Sequence, residues 1–159
     1  MNFSEYETIF KDSGMRARIA WDVLAALDCE IIETYTRSTD VLSSLYTVWY
    51  ISPDGLNGDW RNAQDDPLRV GDAIKTVGSW PDDRKQRIAA FQNTFMQQRE
   101  PIQLALPAYA PNDRDTILLD GTHRAAAACL ARVSIRLLVF AVRGPCNAAV
   151  LPDLQHYSG

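Results

Sequence analysis

Five consecutive residues, Asp120-Gly121-Thr122-His123-Arg124, bring an acid, a glycine, a hydroxyl, an imidazole and a guanidinium into one turn. They follow a strand-like run, Thr116 to Leu119, and precede an alanine-rich stretch, Ala125 to Ala131, so they read as a strand-to-helix elbow. A helix start leaves backbone N–H groups unpaired and carries the positive end of the macrodipole, so it favours an anion. Gly121 lets the backbone approach that anion, Thr122 is a good N-cap, and Arg124 adds a forked donor suited to phosphate or carboxylate. In this phosphate reading Gly121, Thr122, His123 and Arg124 hold phosphate oxygens. Asp120 binds Mg²⁺ or accepts a proton from an attacking hydroxyl, and His123 donates to a phosphate oxygen or shuttles a proton. Each residue also has a plainer reading: Asp120 as a turn cap, His123 as a satisfied structural histidine, Arg124 as a surface bridge to an acid such as Asp115.

The elements around the elbow determine whether it is held rigidly. Asp82 and Asp83 open a helix to about Gln98, with Ile88, Phe91 and Phe95 as its apolar stripe and Glu100-Pro101 as its stop. Ile102 to Tyr109 reads as a strand, Pro111 to Arg114 as a turn, and Thr116 to Leu119 as the returning strand. After the alanine-rich helix, Ile135 to Val142 is nearly continuous in apolar residues, as expected of a strand covered on both faces. Upstream, Ser4 to Glu7 has capping-box form, so a short helix starts there and stops near Gly14. A second helix spans Met15 to Leu27, with Ile19, Ala20, Val23, Leu24 and Leu27 facing inward and Arg16 and Arg18 near its start. Cys29 to Thr36 fits helix or strand; Asp40 to Ser44 forms one helical turn, and Leu45 to Ser52 a strand. Residues 56–80 are loops with one short helix near Val70 to Val77, and Trp60 and Trp80 either pin those loops or stack on a partner. The residues from Arg143 onward read as a loosely packed tail, kept irregular by Pro145 and Pro152.

These elements make a single α/β (α+β) domain over 1–159: an N-terminal helical extension (1–44), a small mixed sheet with packed helices (45–142) and a tail (143–159). At 47% hydrophobic and 23% charged residues the chain is globular, and its net charge of -4 disfavours a broad nucleic-acid footprint. Three cysteines without a C-x-x-C pair suit a reducing compartment and no zinc site, and two histidines cannot build a histidine metal centre. Met1 to Glu5 lacks the form of a signal peptide, and no apolar run approaches about 20 residues, so a soluble cytoplasmic protein without membrane contact is expected.

The order helix, Pro-Ile strand, turn, strand, Asp-Gly-x-His-Arg, alanine-rich helix and final strand resembles the ParB/sulfiredoxin-like superfamily over Asp82 to Val142. The resemblance implies a turn that binds nucleotide phosphates: ATP or another NTP, with Mg²⁺. Sulfiredoxins carry a reactive cysteine where Thr122 stands, and partition proteins carry a different turn with a helical DNA-binding region downstream, so the likeness is to the free serine kinases and DGQHR-type members. Those kinases imply Asp120 in phosphoryl transfer to an unidentified small-molecule or protein acceptor, assisted by a glutamate for which Glu33 and Glu100 are the candidates. The alternative expectation is a non-catalytic module whose anion pocket recognises a partner protein or a nucleic-acid backbone. A small nuclease is disfavoured by the acidic balance and sparse metal ligands.

Overall fold

A computed structural model describes residues 1–13, 15 and 18–157. Its centre is a pair of long strands in which apolar side chains alternate. The first, β4 (Ile102–Ala110), pairs in parallel with β6 (Ile135–Arg143) from Ile102↔Ile135 to Ala110↔Arg143. Parallel neighbours need a crossover. It is made by the short strand β5 (Ile117–Leu118), antiparallel to β4, and the helix α6 (Thr122–Ala131). Three further strands complete the sheet from upstream, β1 (Ile31–Thr36), β2 (Tyr46–Ile51) and β3 (Asp66–Arg69), giving the order β1-β6-β4-β5-β2-β3. The result is a mixed α/β domain, as the sequence pattern implies.

One face of the sheet carries α3 (Thr39–Ser44), α4 (Val70–Ala73), α5 (Asp82–Gln97) and α6. Ile102, Leu104 and Leu106 of β4 and Ile135, Leu137 and Val139 of β6 point into this core, against Ile88 and Phe95 of α5. Ala125, Ala126, Ala127 and Ala128 are all buried there, because α6 is wedged between the sheet and α5 and only small side chains fit on both sides. The other face is covered over part of its length by α1 (Phe3–Phe10), α2 (Trp21–Ala26) and the C-terminal segment. Phe3, Tyr6 and Phe10 meet Tyr109, Leu119 and Val142 there, joined by Val150, Leu151 and Leu154.

Several local expectations are corrected. The capping box of α1 is built on Asn2: its side chain accepts from the Glu5 N–H at 2.9 Å, while the Glu5 carboxylate accepts from the Asn2 N–H at 2.8 Å. α1 ends at Phe10. The second helix is only Trp21–Ala26; Val23 and Leu27 are exposed, whereas Leu24 and Ile19 are buried. Arg16 and Ala17, in its expected first half, and Gly14, the expected stop of the first helix, lie outside the described residues. Cys29 to Thr36, open between helix and strand, contains β1, so residues 1–44 are not simply helical; they supply a sheet strand. β3 was hidden by its composition, Asp-Pro-Leu-Arg, and Pro67 is tolerated because β3 is an edge strand with one neighbour. β6 is not covered on both faces throughout: Arg136 is exposed on the face away from α6. The C-terminal segment packs tightly, with Val150 and Leu151 each 1% exposed and the Val150 carbonyl accepting from the Ala20 N–H at 2.8 Å.

Candidate functional site

The elbow between β5 and α6 lies where the two cores meet. Gly121 adopts φ +81°, the left-handed region, and caps α6 without a side-chain hydrogen bond. A Cβ at this position would stand 2.4 Å from Leu106 Cδ2, so a side chain is excluded by conformation and by space. Thr122 is therefore the first helical residue, and the expected N-cap role falls to a residue with no side chain. Thr122 is 4% exposed, and its Oγ1 is buried without a hydrogen-bond partner. A buried hydroxyl left unpaired costs on the order of 1–3 kcal/mol, so its retention marks a position where a ligand or water can complete it.

Asp120, Thr122 and His123 line a cleft of about 270 Å³ together with Leu119, Trp49 and Trp60. Arg18, Arg61 and Asp153 complete its charged lining. Arg124 does not line it. The guanidinium folds back toward Gly121, 3.0 Å from where a Cβ would be, and pairs with Asp120 at 3.7 Å. The acid that Arg124 bridges is Asp120 rather than Asp115, which is held by Arg69 at 3.2 Å and by the Tyr157 hydroxyl. Glu100 is exposed in the turn before β4, six residues from the Leu106 that abuts Gly121, which at roughly 3.3 Å per residue is on the order of 20 Å away. Glu33 sits on β1, the opposite edge strand from the elbow's neighbours. Neither glutamate is brought to the site.

Trp49 is the side chain that fixes the cleft's inner wall. It is 6% exposed, with His123 edge-on at 5.1 Å, Trp80 tilted at 5.6 Å and the Arg84 guanidinium over its ring at 4.3 Å. Burial pushes the Arg84 guanidinium below its usual range, a cost tolerated because the ring face offers negative quadrupole. Because Arg84 stands in the first turn of α5 and His123 in the first turn of α6, both helix starts converge on one indole. Trp80 settles the choice between anchor and contact: it is buried and its indole N–H donates to Thr76 Oγ1 at 3.0 Å, so it pins residues 74–80 to the core. Trp60 is half-buried and lines the cleft, with the Arg61 guanidinium over its ring at 4.6 Å. Arg61 is also paired to Asp59 at 2.9 Å.

Burial, reinforced by Asp59, raises the Asp153 carboxyl above its usual range, while Arg61 offsets part of this. Cys129, in mid-helix, contacts Ser43 at 3.7 Å, and its thiol is pushed up by burial; it packs as a small core residue away from the cleft. Among the described residues no group of three or more His, Cys, Asp or Glu is arranged to hold a metal ion. Asp120 is the cleft acid that adjoins the start of α6, too few ligands for a protein metal cage, so a Mg²⁺ at this position would have to arrive on phosphate oxygens.

Of the residues expected at the elbow, Asp120, Thr122 and His123 line the cleft; Arg18, expected only near a helix start, and Trp60, expected to pin a loop or stack on a partner, line it too. Sequence reasoning missed Trp49, Arg84 and Asp153. Trp49 was absorbed into a strand pattern, and nothing in Pro152-Asp153 signals that the segment folds back to the elbow. No family model, curated protein or solved structure matches the chain. No helix among the described residues is long and apolar enough to cross a membrane.

Proposed function

We propose that the cleft at the start of α6 binds a nucleotide, with its phosphate at Thr122 and His123. One observation carries this reading: a buried hydroxyl without a partner stands in the first turn of a ten-residue helix, on a residue that lines a cleft walled by tryptophan and arginine. The first-turn amides and the helix dipole favour an anion. Thr122 Oγ1 donates to a phosphate oxygen, Arg18 balances its charge, and Trp60 offers a flat wall for a base. Arg124 acts indirectly, by holding Asp120 and covering Gly121. The run α5, β4, β5, α6 and β6 has the element order that a ParB/sulfiredoxin-like unit requires, and this supports the same reading.

The sharper form of the proposal is Mg²⁺-dependent phosphoryl transfer or nucleotide hydrolysis. Bound with the phosphates, Mg²⁺ would neutralise charge on the transferring group. Asp120 would hold it or take the proton of the attacking hydroxyl, and His123 would donate to a phosphate oxygen. A non-catalytic binding module is the second reading. It is favoured by the distance of Glu100 and by the engagement of Asp120 with Arg124.

Thermal unfolding of the full chain with ATP, GTP, CTP and UTP, with and without Mg²⁺, tests binding. A rise in Tm with at least one nucleotide, lost in Thr122→Val, is expected; no shift with any of them removes the proposal. Phosphate release that disappears in Asp120→Asn supports catalysis, whereas binding without release supports the second reading.

A further inference from the structure

The cleft makes two chemically opposite demands on a ligand. Thr122 and the start of α6 call for an acceptor, as argued above. Asp153 calls for a donor: the residue lines the same cleft, is half-buried, and its carboxylate forms no ion pair among the described residues. Its basic neighbour, Arg61, is taken up by Asp59 and by the Trp60 ring. The Asp153 main chain is fixed independently, because its carbonyl accepts from the Tyr50 hydroxyl at 3.1 Å and its segment is anchored by buried Leu151 and Leu154. A desolvated carboxylate held on rigid backbone beside an indole is suited to reading the edge of a flat heterocycle.

The base edges differ in what they offer to two carboxylate oxygens. Guanine presents two adjacent donors, its ring N1–H and its exocyclic amine. Adenine and cytosine each present one amine beside a ring nitrogen whose lone pair would face the carboxylate, and uracil presents a single N–H between two carbonyls. Resting on the nucleotide reading, we propose that Asp153 determines base choice in this cleft and that the ligand is a guanine nucleotide, read by Asp153 and held through phosphate at Thr122. The cleft, at about 270 Å³, is at the small end of ligand pockets and suits one nucleotide.

Calorimetric titration of the full chain with GMP, IMP, AMP, CMP and UMP decides the matter. IMP is the informative probe, because it keeps the guanine ring and N1–H and lacks only the exocyclic amine. GMP is expected to bind about tenfold or more tightly than IMP or AMP, since a site built to accept a hydrogen bond discriminates against a ligand that lacks the donor. In Asp153→Asn the GMP preference over IMP and AMP is expected to vanish, because the amide keeps one acceptor and turns a donor toward the guanine N1–H; an undiminished preference in that variant overturns the assignment. Equal affinity for GMP, IMP and AMP overturns the assignment of Asp153 and leaves the cleft as a nucleotide site. No binding by any of the five overturns both. The GMP-to-IMP comparison uses the unaltered chain, so it stands even if Asp153→Asn does not fold.

Discussion

The face of the sheet beneath α5 and α6 is filled mainly by aliphatic and alanine side chains, most of them from residues 88–141, with Leu42, Leu45, Trp49, Leu68, Val70, Ala73 and Trp80 added from upstream. The opposite face is filled by rings and aliphatics from the two ends of the chain, Phe3, Tyr6 and Phe10 with Val150, Leu151 and Leu154, closed over Tyr109 and Val142. The first core is built by neighbours in sequence and has helical and strand periodicity. The second is built by residues about 140 positions apart and has no local signature. The cleft lies between them: Trp49 belongs to the first core, Leu119 to the second, and Thr122 stands beside both. Chemistry at the elbow therefore depends on both cores being formed.

The largest expected effect compares the cores directly. Leu104→Ala in the first and Tyr6→Ala in the second should destabilise by about 2–5 and 3–5 kcal/mol respectively, each lowering a single urea-unfolding transition. If Tyr6→Ala leaves the main midpoint unchanged, the second core is a separable cover and the comparison fails. Gly121→Ala comes next. Forcing a Cβ into positive φ costs on the order of 1–3 kcal/mol, with the Leu106 clash added, and the Tm rise with nucleotide should disappear.

Thr122→Val sharpens the distinction between stability and function at the border of the cores. Replacing an unpaired buried hydroxyl by an isosteric methyl should leave the free protein unchanged or up to about 1 kcal/mol more stable, while nucleotide affinity falls. A marked loss of stability would mean that the hydroxyl has a structural partner.

The smallest effect concerns the C-terminal segment's tie to the sheet. Burial alone would raise the Asp115 carboxyl, but hydrogen bonds from Tyr157 and Asn112 and the Arg69 charge outweigh it, so its pKa lies below the ordinary value. A carboxyl depressed in the folded state contributes stability that is present above its unfolded pKa and is lost as pH falls through the folded one. The acid limb of a stability–pH profile should therefore be shallower in Asp115→Asn than in the unaltered chain below about pH 4, near the usual carboxylate range.

What could be read from the sequence follows the same division. α5, β4, α6 and β6 lie within a residue or two of their expected limits because each carries a stripe or alternation that its own neighbours bury. β3, with proline and aspartate in four residues, has no pattern to read, and α2, expected over Met15 to Leu27, is described as Trp21–Ala26. The elbow was legible because glycine, hydroxyl and imidazole adjoin in sequence. Asp153 was not, because only the folding back of the C-terminal segment onto Ala20 and Tyr50 brings it to the cleft. Arg124 was misplaced for a geometric reason. One helical turn separates it from Asp120, and that spacing favours the ion pair over an outward reach.

The edge strand β1 hydrogen-bonds to β6 alone, a partner that lies about a hundred positions later, from Ile31↔Val142 to Thr36↔Leu137. During synthesis on the ribosome, β1 must therefore wait unpaired while most of the polypeptide emerges. Contacts of such long sequence separation slow folding. Its exposed Tyr35 and open backbone edge make that interval the one in which chaperones, or a second nascent copy, compete for the strand.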